Sequence, residues 1–137
     1  MKNLITKQFI NVVILSAIYS AILNAILLFA VKGPSGAPIE FGPFMYTSVV
    51  GLPVLGVIAA GVFYALMNKF CKKQLANWTV ISLVVLMISF IPDVLLPMST
   101  ASDNQGSTPF IILMLMIMHV IPAWIVIYKF NKYARIQ

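Results

Sequence analysis

The chain has 137 residues, 61% of them hydrophobic and only 9% charged, with a formal net charge of +6. A soluble domain carries about 25% charged residues, so the composition excludes an ordinary water-soluble fold and points to an integral membrane protein. The basic residues stand at the ends of apolar runs, not in a patch with interleaved aromatics. They therefore set topology and meet lipid headgroups, and nucleic acid is excluded as a partner. The single cysteine, Cys71, excludes an intrachain disulfide.

Four runs reach the roughly 20 residues that a membrane-crossing helix needs. The first spans about 9–31, behind Lys2 and Lys7, and is too long for the apolar core of a signal peptide. The Gly/Pro-rich stretch Gly33-Pro-Ser-Gly-Ala-Pro38 ends it. The second spans about 44–67, contains Pro53, and closes on the basic turn Asn68 to Lys73. The third spans about 78–96 and contains Pro92, and the loop after it, 97–108, holds no Lys or Arg. The fourth spans about 109–130, contains Pro122, and leads into Lys129, Lys132 and Arg135.

Lys and Arg number two before the first run, one after it, three after the second, none after the third and three after the fourth. The positive-inside rule then places both termini and the 68–77 loop in the cytoplasm. The expected fold is an all-α membrane protein, an antiparallel four-helix transmembrane bundle forming a single domain over 1–137. Trp78 and Tyr128 fit an inner aromatic belt, and Phe41, Phe44 and Tyr46 an outer one.

Small residues mark the faces that meet. On the first run Ala17, Ala21 and Ala25 recur every four residues, beside Ser16, Ser20 and Asn24 at the same spacing. On the second, Gly56 and Ala60 form a small-xxx-small pair, with Gly51, Ala59 and Gly61 nearby. On the third, Ser82, Ser89 and Asp93 form one stripe.

Asp93 is one of three acidic residues, and His119 is the only histidine. Both fall inside apolar runs, where ionisable groups are costly and mark function by default. At ~1.5 Å per residue, Ser20, Ser89 and His119 lie about 15–16 Å deep, while Asn24 and Asp93 lie about one turn nearer the outside. Helix tilt or one water could connect Asp93 to His119. Pro92 frees the carbonyl of Ile88 and Pro122 that of Met118, and such groups need new partners. Kinks beside the two ionisable residues would open a small wet cavity.

Each of these features also has a plain reading. Asp93 and His119 serve as proton carriers or ligand contacts, or else only lock helix packing. One His with one Asp is a poor metal site, since such sites use three or four ligands. Met114, Met116 and Met118 alternate around the helix and read as packing, not as a copper site. No phosphate loop, catalytic-serine motif or zinc motif is present, so neither metal nor cofactor is expected.

The stretches Ser89-Phe90-Ile91-Pro92-Asp93 and Met118-His119-Val120 resemble the Ser-x-x-Pro-like and Met-His motifs of a small bacterial four-transmembrane-helix family of unknown function. The resemblance covers nearly the whole chain. It implies four helices and importance for Ser89, Pro92 and His119, and the expected place is the inner (plasma) membrane, as a multi-pass protein. It implies no activity. The leading expectation is a non-enzymatic protein whose cluster of Asn24, Ser89, Asp93 and His119, with Ser20 beside it, binds a small ligand or handles protons among membrane lipids, as a homo-oligomer. One alternative is a structural scaffold or accessory subunit. Another is an intramembrane enzyme on a lipid or quinone, with His119 as base and Asp93 as its orienter.

Overall fold

The structure is a computed structural model that describes residues 7–35, 41–70, 77–100 and 107–134. Lys2, Glu40, Cys71, Lys72, Lys73, Asp103 and Arg135 lie outside the described residues.

Four long helices carry the fold: α1 (Lys7–Lys32), α2 (Leu52–Phe70), α3 (Trp78–Leu95) and α4 (Pro109–Ala134). Each is long and apolar enough to cross a membrane, and the chain is a multi-pass membrane protein. The boundaries follow local chemistry. The Ser35 amide closes the end of α1 on the Val31 carbonyl at 2.9 Å, and its hydroxyl donates to the Lys32 carbonyl. Thr108 starts α4: its Oγ1 accepts from the Ile111 amide, and Pro109 takes the first helical position, where a missing N–H costs nothing.

α2 begins less simply. A 3-10 turn, Gly42–Phe44, leads to a wide π turn, Thr47–Gly51, that runs into the helix just before Pro53. A proline ring crowds the carbonyl four residues earlier, and a widened turn gives it room. The Ser48 hydroxyl donates to the Gly42 carbonyl at 3.0 Å and fastens this entry. α3 keeps Pro92 within the helix and ends in a 3-10 turn, Leu96–Met98.

Two buried clusters show that the helices run antiparallel. At one end Phe9 of α1, Tyr64 of α2, Trp78 of α3, and Phe130 and Tyr133 of α4 pack together. At the other, Leu28 and Val31 meet Phe41, Phe44, Val49, Ile111 and Leu115. Thus the start of α1 faces the end of α2, the start of α3 and the end of α4. Lys7, Lys69, Lys129 and Lys132 lie at the first end, and Lys32 at the second.

These clusters correct the aromatic-belt expectation for three residues. Trp78 is 2% exposed, and Phe41 and Phe44 are 1% exposed, so they form core, not a lipid-facing girdle. Trp78 stacks at 5.7 Å on Phe130 and meets Tyr64 edge-on at 5.0 Å. Tyr46 and Tyr128 do face outward.

The packing is unequal around the bundle. α1 packs on α2 and α4, and α4 packs on α3 as well. Among the described residues α2 and α3 scarcely meet. They are joined near one end by Trp78, which lies against Tyr64 and Phe63, and diverge beyond it.

Candidate functional site

The buried polar row of α1 is the first element of the site. Ser16, Ser20 and Asn24, four residues apart, are fully buried. Ser16 donates to the Val12 carbonyl at 2.7 Å, a bond within its own helix. The Ser20 hydroxyl has no partner among the described residues. Asn24 reaches across to α4, where its Nδ2 donates to the Met118 carbonyl at 3.1 Å. That is the carbonyl whose usual partner is missing because residue 122 is proline. Pro122 thus creates an acceptor inside the bundle, and Asn24 satisfies it.

Asp93 and His119 touch directly: Nδ1 of His119 lies 3.0 Å from Oδ2 of Asp93. The same Nδ1 is 2.9 Å from the Leu115 carbonyl, one turn back on α4. A single ring hydrogen faces two oxygens, and it aligns with the carbonyl. Oδ2 of Asp93 is left in close approach but without an aligned hydrogen bond. Phe90 stands edge-on to the imidazole, with ring centroids 6.4 Å apart. Asp93 is 8% exposed, whereas 39% of the His119 side chain is accessible. Ser89, one turn before Asp93, donates its hydrogen to the Leu86 carbonyl at 2.7 Å.

These groups form the polar end of a cleft of about 490 Å³ between α2 and α3, floored by α4. Asn24, Ser89, Asp93 and His119 all line it, and Ser20 does not. The α2 wall is built from Pro53, Gly56, Ala59, Ala60 and Phe63, and the α3 wall continues through Val85 and Ser82 to Trp78. The volume is within the usual range for ligand pockets, roughly 300–1,000 Å³. Most of the wall is apolar, and the polar groups are confined to one end. Along α3 the cleft runs 15 residues from Asp93 to Trp78, about 22 Å at the helical rise.

Sequence reasoning missed the α2 wall. Gly56 and Ala60 read as a helix-packing pair, yet a Cβ built at Gly56 meets nothing within 4 Å. The close approach is at Gly61, where a Cβ would come 2.8 Å from Cγ2 of Val13 on α1. Gly56 and Gly61 lie on different faces of α2, being five residues apart. The spacing carried that signal, but not which face would meet a neighbour. Trp78, too, was assigned to a belt when it closes the far end of the cleft.

Among the described residues no three His, Cys, Asp or Glu side chains come together in a way that would hold a metal ion. A protein-family model described as "Family of unknown function (DUF6069)" matches residues 6–136. No curated protein and no solved structure matches the chain.

Proposed function

The chain belongs to the DUF6069 family of unknown function, and on that footing we propose that it is a non-enzymatic membrane protein that takes a small amphipathic molecule from the bilayer into the cleft between α2 and α3. One observation carries the reading: a long apolar cleft ends at Asp93, His119, Ser89 and Asn24. Hydrocarbon fills the apolar length, and the polar end selects the head. Entry is lateral, because exposed Leu52, Gly56, Ala59 and Val85 form the cleft's sides at membrane depth. The count of basic residues supports an inner-membrane protein with both termini cytoplasmic. In that orientation the polar end lies in the outer half of the bilayer.

The test uses Trp78, which is 2% exposed and lines the cleft. Trp124, the other tryptophan, is 70% exposed and is removed by Trp124→Phe. A chain-brominated amphiphile titrated into this protein in detergent is expected to quench Trp78 saturably. Quenching that rises linearly with probe, and equally in a variant plugged by Ala60→Leu, would sink the reading.

A second reading, proton handling by Asp93 and His119, is favoured by their 3.0 Å contact. It predicts proton flux into proteoliposomes that Asp93→Asn and His119→Gln both abolish.

A further inference from the structure

Most hydrogens at the polar end of the cleft are already committed, and this restricts the head group it accepts. The Ser89 hydroxyl donates to Leu86, which leaves its oxygen only lone pairs to offer. Nδ1 of His119 directs its hydrogen to the Leu115 carbonyl. In the neutral ring that tautomer leaves Nε2 an acceptor, with no hydrogen bond from a described residue. Oδ2 of Asp93 has Nδ1 of His119 at 3.0 Å but receives no aligned hydrogen bond from a described residue, and the carboxylate offers acceptors alone. The Asn24 amide spends a hydrogen on Met118, and its Oδ1 is an unpartnered buried acceptor.

The cleft therefore ends in more acceptors than donors, and the hydrogen nearest Asp93, on Nδ1 of His119, aligns with the Leu115 carbonyl. It also holds a carboxylate with no lysine or arginine near it, since the described lysines lie at the helix ends. A buried carboxylate at membrane depth with only a neutral imidazole beside it is costly, and a cation that brings its own N–H groups offsets that cost. We propose that the ligand is a single-chain amphiphile with a protonated amine head: the ammonium donates to Asp93 and Ser89 beside His119, and the alkyl chain lies along α3 toward Trp78. The inference rests on the binding reading above and specifies its ligand class.

The test keeps the Trp124→Phe protein and the brominated probe, and measures displacement by dodecylamine, dodecanol and methyl dodecanoate at pH 7. The three share a twelve-carbon chain and differ in head: a cationic donor, a neutral donor and an acceptor alone. Dodecylamine is expected to displace the probe at least about tenfold more tightly than the methyl ester, with dodecanol between them, and Asp93→Asn is expected to bring the amine down to the level of the alcohol. An ester that competes as well as the amine in the unmutated cleft overturns the amine assignment while the binding reading stands. An amine advantage that Asp93→Asn leaves intact does the same. If the probe never quenches saturably, both fall. The comparison among heads needs no variant at the polar end, so it holds even if Asp93→Asn does not fold.

Discussion

α2 meets its two sequence neighbours in opposite ways. Toward α1 it presents Gly61, so close to Val13 that there is no room for one methyl group. Toward α3 it presents Gly56 and Ala59, and there the small side chains leave a cleft. The residue types are the same, and five residues of helix separate the outcomes. Small residues let backbones approach only where something else draws the helices together. Between α1, α2 and α4 that something is shared burial at both ends. Between α2 and α3 it is confined to the aromatic cluster around Trp78.

The comparison breaks most severely at that cluster. Phe130 is fully buried and contacts Phe9, Tyr64 and Trp78, and so ties α4 to the other three helices. Phe130→Ala is expected to destabilise by about 2–3 kcal/mol in SDS-induced unfolding. This is below the roughly 3–5 kcal/mol of aromatic truncation in a water-soluble core, because the ring's alternative environment is lipid and not water. A cost below about 1 kcal/mol would mean that α3 is held elsewhere.

Next in size is the tight side of α2. Gly61→Ala forces its new methyl against the side chain of Val13, which is stiff in a helix. The expected loss is about 1–3 kcal/mol, typical of overpacking. Val13→Ala in the same chain is expected to recover most of it. A full loss that Val13→Ala does not relieve would place the strain in the backbone instead.

A smaller effect is expected at Asn24. Asn24→Leu removes the donor to the Met118 carbonyl, and side-chain hydrogen bonds between membrane helices are worth about 0.6 kcal/mol on average and up to about 1.7. Pro122→Ala restores the usual partner of that carbonyl, so the penalty of Asn24→Leu is expected to shrink in the double variant. Unfolding midpoints of the four chains give the coupling.

Much of this was legible in the residues because the cause was local. Apolar length and the breaks at Gly33, Lys69 and Pro109 placed the four helices. The proline rule named Met118 as an orphaned carbonyl, and the four-residue spacing of Ser16, Ser20 and Asn24 put a donor on the face that reaches it. The stripe of Ser82, Ser89 and Asp93 also lies on one wall of the cleft. What was not legible depended on relations between helices. Counting residues from the helix ends put Asp93 and His119 a turn apart, because that count gives depth along each helix and not how two helices are placed against each other. Aromatic residues at helix ends suit a belt and an end-cluster equally well, and only the neighbours decide that Trp78, Phe41 and Phe44 turn inward.

The smallest expected change in stability is at Gly56, and it sharpens the comparison most. Gly56→Leu and Gly61→Ala both enlarge a glycine of α2. At Gly56 a Cβ meets nothing, and replacing a mid-helix glycine relieves a propensity cost of up to about 1 kcal/mol. The unfolding midpoint is therefore expected to hold or rise slightly, while the added isobutyl group extends into the cleft and removes saturable quenching of Trp78 by the brominated amphiphile. Stability retained with binding lost separates vacancy from contact on the two faces of one helix. A Gly56→Leu protein as damaged as Gly61→Ala would instead mean that α3 closes against α2 in the membrane. The polar end at Asp93 would then be sealed inside the bundle, not open to a ligand from the lipid.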